Sequence, residues 1–278
     1  MADIFRFNGS RFVRVAGSLR QISVGNSRSV WGINDAFDIF TFNPQRASFE
    51  QVPGKLTLVR AGQTGEVWGL NSNADIFRFD SRTRLFQQVP GKLRDLAVAS
   101  GGFAWGLNAN DDIFLFENSI NKQIPGKLKS ISVGPHGNAW GINANSDIFR
   151  SDVITSLFRQ VEGKLTSIVV GDDAPLDVPP NAQVWGLNVR PRSPGDLFTF
   201  HDIFRFHLES GFFEQVPGEL MIIAASAGDV WGINAFHDVF RFDPQARRFF
   251  AVPGQQLDAI AVGTDDVWGL SSPQPSPH

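Results

Sequence analysis

The chain of 278 residues has no cysteine and no tyrosine. Without cysteine there is no disulfide, no thiolate nucleophile and no Cys-bound metal, which suits a reducing compartment or indifference to redox. Without tyrosine no phenol is available for proton transfer, so the 26 Phe and seven Trp form an aromatic mass given over to packing. The five histidines, His136, His201, His207, His237 and His278, share no metal spacing and join no singular polar cluster. Catalysis is therefore not expected, and no cofactor is implied. No apolar run approaches ~18 residues, so no transmembrane segment is expected. The opening stretch MADIFRFNGSRF lacks the apolar region of a secretory signal, which makes the cytoplasm the expected address. A net charge of -3 with no Lys/Arg run argues against nucleic acid as a partner, since that footprint shows as a basic face or stripe. Also missing is any sustained 3.6-residue hydrophobic period, so no helix is expected.

What the chain has is repetition. All seven Trp occur as Trp-Gly, at gaps of 37, 37, 35, 45, 46 and 37 residues. An Asp-aliphatic-Phe motif recurs at Asp3, Asp38, Asp75, Asp112, Asp147, Asp202 and Asp238. A Gly, usually after Pro, recurs at Gly17, Gly54, Gly91, Gly126, Gly163, Gly218 and Gly254. Residues 75–110 are the cleanest copy, DIFRFDSRTRLFQQVPGKLRDLAVASGGFAWGLNAN. Its short Phe/Ile/Val/Trp runs, bounded by Gly, Pro, Asn and Asp, read as four strands, DIFRF, LFQQV, LRDLAV and FAWGL, with PG as a turn. Four antiparallel strands per ~40 residues bury both sheet faces only when neighbours stack on them, which radial stacking achieves with closure, whereas the alternative, a β-solenoid, needs shorter coils and open, capped ends. The expected fold is all-β: a single domain over residues 1–278, a seven-bladed β-propeller with units starting near 3, 38, 75, 112, 147, 202 and 238. Each blade takes LRDLAV and FAWGL of one unit with DIFRF and LFQQV of the next. Asp3 to Gly17 therefore completes the blade begun at Leu257, pairing the N- and C-terminal strands.

The fifth unit carries two insertions, GDDAPLDVPPNAQ before Trp185 and RPRSPGDLFTF before HDIFRF, where DLFTF looks like a second copy of the motif. They read as a long loop or an extra edge hairpin, or as a modified site at that blade. The Asp heading each DIF motif is expected to accept backbone N–H bonds in the preceding hairpin. Alternating Asx residues such as Asn143, Asn145 and Asp147 lack the Gly and terminal Glu of a calcium loop and read as turn chemistry, so no metal site is expected.

Two readings stand for the Trp set, Trp31, Trp68, Trp105, Trp140, Trp185, Trp231 and Trp268. Large rings fill the wedge between stacked blades. Beside a repeated Asn, at Asn34, Asn71, Asn108, Asn143, Asn188 and Asn234, with Ser271 in the last unit, they also offer what a sugar requires: an aromatic face for C–H surface and an amide for hydroxyls. The Arg of DIFRF, at Arg6, Arg78, Arg150, Arg205 and Arg241, adds a donor fork in five units, while Thr41 and Leu115 replace it in two.

WGxN followed by DIFRF and a VPGKL turn, at this period, resembles the tectonin repeat of the tachylectin-2-like propeller lectins, a family that often carries Tyr where this chain has Phe. The resemblance covers Asp3 to Leu270. It implies a non-enzymatic lectin, cytoplasmic and defensive in fungal members, recognising microbial or nematode glycans that include O-methylated sugars. Its inter-blade pockets would be lined by the Trp and Asn of WGxN and by the DIFRF strand, with methylated mannose or fucose as partners. A lectin of this kind gains from assembling as a homo-oligomer. The competing function is an intracellular protein-protein scaffold, which predicts one dominant, irregular surface rather than equivalent sites.

Overall fold

A computed structural model describes residues 1–117, 120–152, 154–172, 183–190 and 201–272. They form seven four-stranded antiparallel sheets, the blades of a β-propeller. From the centre outwards, blade one is Gln21–Asn26, Ser29–Ile33, Asp38–Asn43 and Ser48–Lys55. Blade two follows with Leu58–Ala61, Val67–Leu70, Asp75–Asp80 and Leu85–Lys92, and blade three with Asp95–Val98, Ala104–Leu107, Asp112–Glu117 and Ile120–Lys127. Blade four is Ser130–Val133, Ala139–Ile142, Asp147–Ser151 and Phe158–Lys164; blade five is Ser167–Asp172, Gln183–Val189, His201–His207 and Phe212–Glu219. Blade six is Ile222–Ser226, Asp229–Ile233, Val239–Asp243 and Arg248–Val252. Blade seven joins the chain ends: Ala259–Val262 and Val267–Ser271 supply the inner pair, Ala2–Phe7 and Phe12–Leu19 the outer pair, with Asp3 to Arg6 in register against Ser271 to Trp268. The assignment of strands to blades, including the seam, is the one the repeat predicts. Blade five uses HDIFRF as its third strand, and most of both unit-five insertions falls outside the described residues.

The repeated letters follow from how blades stack. On the third strand the side chains alternate, so Ile and Arg of DIFRF face the next blade while both Phe face the preceding one. Ile4, Ile39, Ile76, Ile113, Ile148 and Ile203 are completely buried. Six of the seven Trp meet the second DIFRF Phe of the next blade, and five of these the Phe of its outer strand too. Trp105 meets only the outer-strand Phe158, because blade four has Ser151 where the second Phe would stand. Trp31 lies 4.6 Å from Phe79 and 5.8 Å from Phe86, and Trp185 lies 4.6 Å from Phe242 and 5.7 Å from Phe249, all edge to face. Trp268 repeats this on Phe42 and Phe49 of blade one, which closes the ring. A phenol in this dry wedge would need a polar partner, so Phe suits the position.

The Trp-Gly and PGKL motifs explain one another. The Leu after PGK crosses between blades and packs on the Gly of the next Trp-Gly pair. A Cβ on Gly106 would lie 2.2 Å from Leu93 Cδ1, and one on Gly69 2.4 Å from Leu56 Cδ1. PG itself is not the strand-ending turn that the sequence predicts: it lies inside the outer strand as a β-bulge, with Gly91 at φ 120° and the register shifting between Val89 and Lys92. The positive φ, which only Gly adopts without strain, bends the strand so that it continues to Lys92.

Inner strand edges are satisfied by side chains of the preceding blade. Gln21 bonds the main chain of Val59 in both directions, and the Ala61 N–H donates to Ser23 Oγ. At one mouth of the channel Gln63 donates across the ring to the Gly171 carbonyl and to Ser226 Oγ, so this end is bridged.

Candidate ligand-binding clefts

The ring has two unlike ends. One carries the blade-to-blade crossings and the hairpins between second and third strands; the other carries the remaining turns. Asn34, Asn71, Asn108, Asn143 and Asn234 all lie in hairpins at the crossing end. There Asn Oδ1 accepts the backbone N–H of the DIF Asp at 2.9 Å in each of these five units. The Asn Nδ2 donates back to the Asp carboxylate, at 3.0 Å for Asn71 and Asp75. The expected direction is thereby reversed. The Asp does not accept from the hairpin backbone; its own N–H is held by Asn, and its carboxylate takes side-chain donors.

The other carboxylate oxygen takes the Lys of PGK. Lys55 reaches Asp38 at 2.6 Å, Lys92 reaches Asp75 at 2.7 Å and Lys127 reaches Asp112 at 2.8 Å, with Lys164 on Asp147 likewise. Each ammonium also donates to a hairpin carbonyl, as Lys92 does to Asn73 at 2.8 Å. The Lys bond first, and the Asn bond second, hold these four carboxylates below their usual range. Later units vary the lock. Glu219 replaces Lys and binds Arg190 at 2.5 Å, Gln256 reaches Asp238 at 3.3 Å, and Arg14 reaches Asp3 at 2.7 Å. Asn188 lies opposite Asp202 in the strand pairing of blade five.

Trp31, Trp68, Trp105, Trp140, Trp185, Trp231 and Trp268 are all buried, none more than 5% exposed. Of the two readings of these residues, packing is the role their position serves. Arg6, Arg78, Arg150, Arg205 and Arg241 lie over the Trp rings of their own blades at 5.3 to 5.5 Å, as cross-strand partners. Each of these Trp rings is thus enclosed by a guanidinium of its own blade and by Phe of the next. Arg6 and Arg241 also bind the residue two before Trp: Arg6 Nε meets Asp266 at 2.9 Å and Arg241 grips Asp229 with two bonds of 2.8 and 3.2 Å. In blade one the same two positions hold Thr41 and Ser29, and in blade three Leu115 and Phe103, which share a core cluster. Asn and Arg of one unit are not brought together. Arg78 is three residues beyond Asp75, about 10 Å along an extended strand.

Clefts open between blades at the crossing end. One of about 400 Å³ joins Gly126, Lys127 and Leu128 of blade three to Asn143, Asn145 and Phe149 of blade four. Another of about 440 Å³ joins Gly218, Glu219 and Met221 of blade five to Asn234 and Phe236 of blade six, with His201 and Arg190 beside them. Their aromatic surface comes from Phe149 and Phe158 in the first and from Phe236 in the second, rather than from Trp. A repeated sequence signal existed only for Phe149, which is the first Phe of its DIF motif; Phe236 stands in the hairpin before its own motif and belongs to no repeat position. At the opposite end a larger groove of about 1580 Å³ runs between blades six and seven. Among the described residues no group of three His, Asp or Glu is placed to hold a metal ion, and no helix is long and apolar enough to cross a membrane.

Seven radially stacked four-stranded blades define a β-propeller built of repeats. A family model of the tectonin domain matches residues 1–123, 42–175 and 104–274, so the chain belongs to the tectonin family. Among solved structures, human WBSCR16 aligns at TM-score 0.69 with 10% identity over 98% of both chains. YCF48 bound to D1 peptide aligns at 0.65 with 10% identity over 98% of this chain and 94% of that one. YCF48 from Cyanidioschyzon merolae gives 0.60 and 13% over 97% and 99%. At such identities these likenesses concern the fold. No curated protein sequence matches the chain.

Proposed function

We propose that this tectonin propeller is a multivalent lectin whose sugar sites are the clefts of the crossing end. The observation that carries this reading is the cleft at two junctions, where the crossing segment after the bulge Gly meets the next blade's Asn hairpin and an aromatic side chain, in a chain of this family. A monosaccharide fits a cleft of about 400 Å³. The amide and carboxylate edges suit its hydroxyls, and Phe149 suits its C–H face. An O-methyl group adds apolar surface and removes a donor, a gain of roughly 0.8 kcal/mol per buried carbon. That is several-fold per site. Several weak sites on one rigid ring raise avidity by roughly 10² to 10⁴ against a surface bearing many copies.

Methylated mannose or fucose is the preferred ligand class. Binding such glycans on microbes or nematodes, from a cytoplasmic store, is a defensive role of a fungal kind, carried out without catalysis or cofactor, and a homo-oligomer would multiply the sites. A glycan array containing O-methylated sugars is expected to show binding, and Asn145→Trp, which fills the cleft of blades three and four from an exposed position, is expected to remove one site per chain in a titration. A flat array from folded protein would end this reading.

One observation favours the scaffold reading as a second. The groove between blades six and seven has more than three times the volume of either cleft, and one dominant surface is what a scaffold predicts.

A further inference from the structure

The groove between blades six and seven belongs to the opposite end of the ring from the Asn clefts and differs from them in kind. Its volume of about 1580 Å³ exceeds the roughly 300–1,000 Å³ of ordinary small-molecule pockets. An occupant that fills it is an extended chain. Its walls bring together the two halves of the seam: Arg6 comes from the first strand and Asp266 from the last hairpin, 260 residues apart.

The lining carries four carboxylates, Asp229, Asp243, Asp265 and Asp266, against two guanidiniums, Arg6 and Arg241. Both guanidiniums are engaged. Arg241 is bound in two-pronged fashion to Asp229, and Arg6 holds Asp266 Oδ1 at 2.9 Å. The hydrogen-bond donors found on the remaining two carboxylates are neutral. Asp265 takes the N–H and hydroxyl of Ser27 at 2.6 and 2.7 Å, and Asp243 takes the backbone N–H groups of Gln245 and Ala246. Neutral donors satisfy lone pairs and leave the charge in place.

Asp266, paired through Oδ1 with Arg6, is not part of this excess but lies beside it. Its side chain is 3% exposed, and its Oδ2 is buried with no hydrogen-bond partner among the described residues. A carboxylate oxygen held in a poorly polarisable wall without a donor is weakly screened, and a cleft with such walls directs the field into the space above it. Two apolar side chains face that space, Val13 at 42% and Phe250 at 41% exposure. Arg248, beside the lining, has its guanidinium 4.4 Å from the Phe250 ring centroid and so supplies a cation at the groove's edge. Negative floor, apolar flanks and a cationic rim match an extended main chain with basic side chains. The ammonium or guanidinium heads meet the floor, their stems meet Val13 and Phe250, and peptide carbonyls meet Arg248.

We propose that this groove is a second binding site and that its ligand is an extended peptide segment bearing Lys or Arg. The Asn clefts and their sugar are not involved, so the two sites are independent.

The test uses the full chain and two blocked peptides, acetyl-Lys-Ala-Lys-Ala-Lys-amide and the same sequence with Glu for Lys, titrated calorimetrically at low ionic strength. Expected are saturable one-to-one binding of the Lys peptide, at least tenfold weaker binding of the Glu peptide, and loss of affinity as salt rises. Val13→Lys places a cation in the groove from an exposed position and is expected to weaken the Lys peptide at least fivefold. Leu85→Lys, on the exposed outer strand of blade two, is expected to leave it unchanged. Asp266→Asn is avoided as the deciding variant because it also removes the partner of Arg6. No binding, equal binding of the two peptides, or equal effects of Val13→Lys and Leu85→Lys would overturn the proposal. Unchanged sugar binding by Val13→Lys protein separates this site from the Asn clefts.

Discussion

At the scale of single residues, a Trp of this ring is a packing element, and in five blades it has a charged lid. Trp140 lies 4.8 Å from Phe206 and 6.0 Å from Phe213, with Arg150 5.4 Å from its ring. Truncation leaves a cavity between blades four and five, so Trp140→Ala is expected to cost about 3–5 kcal/mol in urea unfolding. Loss of a partly exposed guanidinium over a ring costs far less, about 0.5–1 kcal/mol, so Arg78→Met is the mild comparison. A Trp140→Ala midpoint equal to wild type would remove Trp from the core. The Asp locks set an acid limit. Asp38, Asp75, Asp112 and Asp147 have folded pKa values below their ordinary one, chiefly through the Lys bond. Their contribution is therefore fully present above the unfolded pKa and lost as pH falls through the folded value. The melting temperature is expected to be insensitive to these groups from pH 7 to 5 and to fall below about pH 4. Lys92→Met removes the first cause at Asp75, and a thermal pH series on that variant is expected to show a shallower acid limb than wild type.

At the scale of the element, each blade is sewn to the next by the segment from the outer bulge to the crossing Leu. Gly91 permits the bulge, Lys92 ties it to the hairpin, and Leu93 fills the space left by Gly106. Gly91→Val forces a β-branched residue to φ 120°, where its Cβ would also meet Ile76 Cδ1 at 3.2 Å. The expected loss is about 1–3 kcal/mol, read as a lowered urea midpoint with an unchanged slope. A Val variant as stable as wild type would show that the bulge does not depend on Gly. This element was half legible. PG, K and L recur visibly, yet the pattern reads as a turn, because a bulge and a turn share the same Gly chemistry and only the strand pairing of Lys92 with Asp75 tells them apart.

At the scale of the whole molecule, the ring is one closed sequence of contacts, and its weak point is the seam. Ala2–Phe7 is hydrogen-bonded to Val267–Ser271, and Phe7 and Phe12 cover Trp231 of blade six. Removing residues 2–16 strips both outer strands from blade seven and uncovers that Trp. It is expected to lower the melting temperature of the whole ring in one transition, followed by far-UV circular dichroism, since no blade can bury its faces alone. A truncated chain melting at the wild-type temperature would show that the seam contributes nothing. The two ends of the ring also divide the expected site residues. Asn143 and Asn234 line clefts at the crossing end, while Arg6 and Arg241 line the groove at the other.

The sequence by itself determined the number of blades, the offset by which the chain ends share one, and the composition of each interface. These follow from a period and a strand alternation, both local properties of the chain. Tertiary structure decided what the repeated polar and aromatic residues do. A Trp beside an Asn in sequence offers either a buried ring or a binding face, and only the neighbouring blade, which brings Phe206 onto Trp140, selects burial. Likewise nothing in the repeat singles out Asp266, two residues before Trp268. Closure of the ring brings it to Arg6, leaves its second oxygen without a donor among the described residues, and makes its hairpin part of the wall of a groove. Contacts between residues hundreds of positions apart are set by closure of the whole, which no local pattern encodes.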